Sequence, residues 1–367
     1  MVELATPLVQ RIYHVLGGVI EPQNTMPSMG MVEWALRDGV AAWRVSNSAL
    51  EVIVTTPAEG STVPVLIPWK GVREWIAKAP APVIHWGIDA SAIQLQSGRS
   101  RSRWTVVNEV LVSLMGSPGT PSPLTGSDFA WGARVLSAVA VDESRPILKG
   151  VQIIAGAQGS RWVATDGTRL ALAAIGAVPA LDSGSLVLPA KTVQWLARQL
   201  PPEAEDLEFA MSDRQVQVTW RDPAGFRVEA IGNALAGRYP DVHRVIPERY
   251  ATRTLVDYQD LRSAVERLWV VIHGTRGGAM IVDVQEEGVL VQSAGVPEAS
   301  AEEWVPGTTH GPSLRLMFDP TLVLDGIKMI EGPAVWWQFA GVQSPSCLET
   351  EGGGPISYVV LPLRELV

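Results

Sequence analysis

Side chains able to do covalent or metal chemistry are present in this chain but not gathered. The five histidines, His14, His85, His243, His273 and His310, lack the spacing that brings two imidazoles onto one metal. His243 reads instead as part of a turn at Pro240. The lone Cys347 excludes a disulfide framework and a cysteine cluster, and without a nucleophile motif around it a buried structural thiol is expected. Gly274-Thr275-Arg276-Gly277-Gly278 follows a helical stretch but lacks the Lys-Ser/Thr that closes a phosphate cradle, and there is no Gly-x-Ser-x-Gly elbow. Fourteen tryptophans stand against five Phe and five Tyr; Trp69, Trp75, Trp131, Trp195 and Trp269 fall on helical stretches and read mainly as packing, with base stacking the minor alternative. No metal, no cofactor and no catalytic site is expected, so the function should be recognition.

The elements that must position such recognition repeat along the chain. Val65-Leu66-Ile67-Pro68-Trp69-Lys70 and Leu186-Val187-Leu188-Pro189-Ala190-Lys191 are each an apolar strand running into an amphipathic helix, and Leu314 to Lys328 is a weaker third copy. Their anchors Pro68, Pro189 and Phe318 lie 121 and 129 residues apart, which is the size of a small domain. A chain of 367 residues, 47% hydrophobic and 18% charged, suits two or three globular domains. The expected boundaries are 1–122, 123–250 and 251–367, with the Pro-rich stretch from Gly116 to Pro123 as the first linker. Each domain opens with a helix: Pro7 to Leu16, a second that Ser127-Asp128 should cap, and a third capped by Asp257. Strands joined by short turns fill the rest, so the expected class is α+β, with three similar domains of two helices against antiparallel sheets. No apolar run reaches the roughly 18 residues of a membrane span, and the first residues lack a signal-peptide pattern; a cytoplasmic protein is expected.

Four motifs carry a family resemblance: Arg145-Pro146-Ile147-Leu148-Lys149-Gly150, Trp162 to Ala171 with Thr165-Asp166-Gly167-Thr168-Arg169-Leu170, Tyr239 to Pro247, and Tyr358 to Arg364. In this order they resemble the bacterial DNA polymerase III beta subunit, the replicative sliding clamp. Thr25-Met26-Pro27 and Ser97 to Arg101 extend a weaker likeness into the first domain. The resemblance implies a DNA clamp fold, with two chains joined head to tail into a ring and helices lining a pore around duplex DNA. It also implies a non-catalytic processivity factor that tethers the replicative polymerase, with the clamp loader and repair proteins as further partners. Carried over by position, a pocket for partner peptides would use Arg145, Leu148, Thr165, Gly167, Arg169, Leu170, Pro240, Arg244, Val245, Val359, Val360, Leu361, Pro362 and Leu363, with Pro345 beside them. Leu and Val walls suit aliphatic and aromatic anchors of an extended segment, and Arg145 and Arg244 suit its polar groups. The dimer contact would join the strand holding Arg99, Arg101, Arg103 and Trp104 to the third domain near Ile272.

Charge gives that resemblance a physical check. A net charge of −9 argues against a protein that coats nucleic acid with its whole surface. The six expected helices nevertheless sum to +2 and the remainder to −11, the sign that helices facing phosphates require. The expected pore cations are Arg11, Lys70, Arg73, Lys78, Arg134, Lys191, Arg198, Arg262 and Lys328. Gln23-Asn24 and Asp142-Glu143 stand in loops where relatives often carry basic residues, and Ser48-Ala49-Leu50-Glu51 replaces the family's Thr-Asp-Leu-Glu. These departures favour the rival reading, a clamp-like peptide-binding paralogue that is not loaded on replicating DNA.

Overall fold

The computed structural model describes residues 1–20, 30–89, 91–107, 111, 113–114, 116, 119–122, 124–156, 159–177 and 184–364. Thr25-Met26-Pro27 and Gln23-Asn24 lie outside them. In chain order the elements are β1 (Val2–Ala5), α1 (Thr6–Leu16), β2 (Met31–Arg37), β3 (Val40–Ser46), β4 (Leu50–Pro57), β5 (Thr62–Pro68), α2 (Trp69–Ala77), β6 (Val83–Ile88), β7 (Ala92–Ser97), β8 (Ser100–Thr105), β9 (Thr120–Ser122) and α3 (Gly126–Gly132). They continue with β10 (Gly150–Ile154), β11 (Ser160–Thr165), β12 (Arg169–Ile175), β13 (Ser185–Pro189), α4 (Ala190–Gln199), β14 (Glu205–Met211), β15 (Gln215–Arg221) and β16 (Arg227–Asn233). The last part holds β17 (Thr252–Asp257), α5 (Tyr258–Ile272), β18 (Ala279–Gln285), β19 (Gly288–Ala294), β20 (Glu302–His310), β21 (Leu314–Phe318), α6 (Pro320–Met329), β22 (Ala334–Phe339), β23 (Ser346–Thr350) and β24 (Ile356–Val360). The class is α+β with antiparallel pairing, as the short turns predict.

The strand-to-helix repeat is present at all three anchors: β5 runs into α2, β13 into α4 and β21 into α6. The local cause is the residue at each junction. Pro68 and Pro189 hold an extended backbone as the last strand residue before the helix, with no side-chain cap. Asp319 instead accepts from the Thr321 N–H at 2.8 Å, and Asp257 accepts from the Gln259 and Asp260 N–H groups ahead of α5. The second opening helix departs from expectation. Its cap is Thr125, whose Oγ1 accepts from the Asp128 N–H while the Asp128 carboxylate accepts from the Thr125 N–H, a reciprocal pair that Ser127-Asp128 alone cannot make. Gly132 lies against Trp162 and Ile175, where a Cβ would collide, and past it the chain tightens into a 3-10 turn over Ala133–Ala138.

Contacts divide the chain into two compact units, Met1–Ala130 with Ala177–Leu235, and Trp131–Gly176 with Ala236–Val367. The expected boundaries at 122 and 250 do not follow this division, because the residues of the expected middle domain contribute to both units. Strand edges explain it: β4 of the first unit pairs with β16, Leu50 opposite Gly232, and β12 of the second pairs with β24. Main-chain ladders of this kind join distant sequence as firmly as neighbouring sequence.

The first unit has two sheets, ordered β1-β6-β7-β8 and β5-β2-β3-β4-β16-β15-β14-β9. Its core is aromatic. Tyr13 stacks on Trp69 at 5.1 Å, Trp34 on Trp86 at 5.9 Å, and Trp43 meets Trp86 edge-on at 5.8 Å. Such pairs each contribute about 0.5–1.5 kcal/mol beyond the apolar area they bury. Trp195 of α4 donates its Nε1–H to the Val15 carbonyl at the end of α1. In the second unit β10-β11-β12-β24-β23-β22-β17-β20-β19-β18-β21 follow one another, and α5 and α6 pack together. Cys347 is buried on β23, and burial pushes its thiol up to about 12. Among the described residues no helix is long and apolar enough to cross a membrane, and no group of three His, Cys, Asp or Glu is placed to hold a metal.

Candidate functional site

The β12–β24 pairing does most to assemble the site. Its register sets Arg169 opposite Val360 and Leu170 opposite Val359, so motifs nearly 190 residues apart share one ladder. The Thr165–Arg169 turn that leads into β12 is closed by its own side chains. Asp166 Oδ1 accepts from the Thr168 N–H and Oγ1–H and from the Arg169 N–H, while Thr165 Oγ1 accepts from the Gly167 N–H and donates to the Arg169 carbonyl. Gly167 is required twice over: its φ is +95°, and the Arg145 guanidinium lies on it, so that a Cβ would sit 2.9 Å from Nη2. Arg145 donates to the Asp166 carbonyl at 3.2 Å. The Leu361 N–H donates to the Thr168 carbonyl, which brings the C-terminal segment alongside the turn.

These elements enclose a cavity of about 120 Å³, wholly within the second unit. Of the residues expected in a pocket, Arg145, Leu148, Thr165, Gly167, Arg169, Leu170, Pro240, Val245, Val359 and Leu361 line it. Arg244 does not. Its side chain is 85% exposed and pairs with Asp241 at 3.0 Å. Val360 is fully buried in the sheet, Leu363 is exposed and donates its N–H to Met317, and Pro345 and Pro362 are half-buried outside the lining. Thr168 and Val242, members of the second and third motifs but not of the expected pocket, line the cavity too, Val242 opening the 3-10 segment Val242–Arg244. Tyr239 supports the floor: its hydroxyl accepts from the Thr165 N–H, and burial pushes it up to about 12.

Electrostatics inside the turn favour ionised partners. Burial alone would push the Asp166 carboxyl up, but the hydrogen bonds from Thr168 and Arg169 outweigh it and hold it below the usual range. Arg169 is held by two carboxylates, with Nε on Asp166 at 2.9 Å and Nη1 on Asp325 at 2.5 Å. Burial disfavours its charge, but Tyr358, Asp325 and Asp166 overcome that and raise it above the ordinary guanidinium value.

The helical cations fall into two groups. Lys70, Arg73, Lys78 and Arg198 of the first unit are exposed, with no carboxylate partner among the described residues; Arg73 lies over the Trp69 ring and Lys78 sits just past the end of α2. Lys191 is likewise exposed, at the start of α4. Arg11 differs, because it spans to the buried carboxylate of Asp222 at 3.0 Å. In the second unit Arg262 pairs with Glu266 one turn on, and Arg134 stacks on Trp131 and pairs with Glu331. Lys328 is exposed on α6. In the loop at Asp142-Glu143, Asp142 accepts from the Ser144 N–H at 2.7 Å and Glu143 pairs with Lys149, so its negative charge is partly spent locally.

Ile272 is 3% exposed and packed at the end of α5, so it belongs to the core of the second unit. The strand β8 with Arg101, Arg103 and Trp104 does lie at a sheet edge, hydrogen-bonded on one side to β7, and Arg99 sits in the turn before it. Arg103 reaches back to Asp89 at 3.1 Å, while the ring of Trp104 covers Gly71.

Residues 133–241 match the central-domain model of the DNA polymerase III beta subunit, and residues 243–364 match its C-terminal-domain model. The chain belongs to the DNA polymerase III beta subunit family. These two matches together cover well over half of it and include every residue lining the cavity except Val242, which falls between them. A beta sliding clamp from Staphylococcus aureus is 26% identical over 230 residues, and the match spans 62% of this chain but only 59% of the relative's length. The fold extends further than the sequence likeness. The structure of a putative DNA polymerase III beta subunit from Eubacterium rectale superposes with a TM-score of 0.91 at 14% identity, covering 99% of both chains. A DNA polymerase sliding clamp from Bacillus subtilis gives 0.88 at 19% identity, covering 99% of this chain and 98% of the other. The clamp fold of the beta-subunit family therefore includes the first 130 residues, which neither domain model reaches.

Proposed function

We propose that this protein is a cytoplasmic sliding clamp, a processivity factor without a catalytic site of its own that encircles duplex DNA and holds the replicative polymerase, clamp loader and repair proteins by short peptides. The observation that carries this reading is the cavity: four separate motifs of the chain converge on one apolar recess with arginines at its rim. A partner segment would lay aliphatic or aromatic anchors against Leu148, Leu170, Val359 and Leu361. The exposed cations of α2 and α4 supply sequence-indifferent attraction for phosphates, and their modest number suits a ring that must slide.

Ring closure is part of the proposal. Three clamp domains per chain, with boundaries near 122 and 250, make six in a dimer, joined by heterologous contacts that close on themselves. With Ile272 in the core, a better partner for the basic β8 edge is the first half of β20, whose Glu302 to Pro306 pair only with β19 among the described residues and carry Glu302, Glu303 and the half-exposed Trp304. Native mass and retention on circular DNA test the reading together. A dimer that a loader places on a closed circle, and that is lost when the circle is cut, is expected. A dimer that binds peptide but is never retained would establish the unloaded paralogue instead.

A further inference from the structure

Asp325 stands out because it is a mid-helix carboxylate that does nothing for its own helix. The N-cap of α6 is Asp319, and Asp325 sits a turn and a half further on, where acidic residues gain nothing from the helix dipole. Its Oδ2 leaves the helix and meets Arg169 Nη1, 156 residues away in sequence. The helix is brought that close by its neighbours. Gly326 lies against the Tyr358 ring, where any Cβ would overlap ring atoms, and the Tyr358 hydroxyl donates to the Leu322 carbonyl at 2.7 Å. Together with Asp166, Asp325 gives Arg169 two carboxylates. The cavity wall thus carries two guanidiniums, Arg145 and Arg169, and two carboxylates outside the lining, Asp166 and Asp325, are both spent on Arg169.

We propose that Asp325 is a specificity-setting residue of the peptide cavity: by neutralising Arg169 from α6 it makes the cavity select partner segments by their apolar anchors rather than by flanking negative charge. The inference rests on the peptide-pocket reading. Removing the Asp325 charge leaves the wall one positive charge in excess, next to a recess only partly open to water, where attraction is screened less than at the surface. An acidic flank then gains and a neutral one does not.

The test uses the full chain and two synthetic peptides with the same leucine and phenylalanine anchors, one flanked by two aspartates and the other by two serines. For the native protein the two Kd values should agree within about twofold across salt concentrations. In Asp325→Asn the acidic peptide should gain on the neutral one by on the order of five- to tenfold at low salt, and the gap should close near about 0.5 M salt. Asp325→Glu should restore the native ratio. A purely structural role would weaken both peptides alike and leave their ratio near one, and that result overturns the inference, as does an unchanged ratio with unchanged affinities. If the native protein binds neither peptide, the pocket reading itself fails and takes the inference with it.

Discussion

The two units carry similar strands and helices but differ in how most of their helical cations are used, Arg11 of the first being paired and Lys328 of the second exposed. In the first, Lys70, Arg73, Lys78 and Arg198 stand exposed with no acidic partner among the described residues, and β8 and the turn before it add Arg101 and Arg99 along an open edge. In the second, Arg134, Arg169, Arg262 and Arg267 each meet a carboxylate, and the feature on offer is an apolar recess. Bare cations bind any phosphate chain, and a lined recess binds one kind of segment. Under the proposed function this difference is a division of labour within one chain, the first unit for DNA and the second for partner segments.

Breaking the recess should have the largest effect. Val245→Asp with Leu361→Asp places charge at two residues that are not deeply buried, so the fold should survive while an anchor site worth about 2–3 kcal/mol is lost, a fall on the order of a hundredfold in peptide affinity. Fluorescence titration measures it, and retention on circular DNA should be untouched. Next in size, reversing Lys70, Arg73 and Arg198 to Glu should cut retention by on the order of tenfold or more and flatten its salt dependence, by about 0.9 in log–log slope for each phosphate contact removed. The same reversals at Arg134 and Arg262, whose charges are already matched, should change retention by less than about threefold; an equal effect from both sets would end the proposed division. Acid should produce a smaller, graded change. Because hydrogen bonds hold the folded Asp166 carboxyl below its usual range, its contribution to the turn is present above about pH 4 and is lost as pH falls through the lower folded value. Peptide affinity should therefore decline in strongly acid buffer for the native protein, whereas Asp166→Asn should be weaker at pH 7 already and show less further decline. Parallel curves would assign the acid effect to another group.

Much of this was legible in the sequence because it is local. The strand-to-helix junctions at Pro68, Pro189 and Phe318 and the Asp257 cap are encoded within a few residues, and all are found in the structure. The second opening helix misled because Thr125 and Asp128 form a reciprocal cap that a reading of Ser127-Asp128 steps over. Non-local pairing was not legible. Charge counts register Arg11 as a cation, but not that Asp222, 211 residues on, claims it; similarly Asp325 counts as one more helix acid until Arg169 is seen against it. The unit boundaries fail to follow the repeat for the same reason, since the edges of β4 and β12 choose partners that no local pattern announces. Ile272 fits the helical apolar stripe of α5, and burial, rather than its nearness to a supposed contact, decides its role.

The burial of Cys347 has a practical consequence. The chain has one sulfur nucleophile, shut inside β23 with its thiol pushed up to about 12, so at neutral pH almost none of it is thiolate and little of it meets solvent. A thiol-alkylating reagent should therefore mark this protein only in the moments when the second unit opens, one adduct per chain. The rate of that labelling is a clock for the opening of the unit that holds the cavity, readable by mass on the unmodified protein, and a peptide that binds the folded cavity should slow it in proportion to its occupancy.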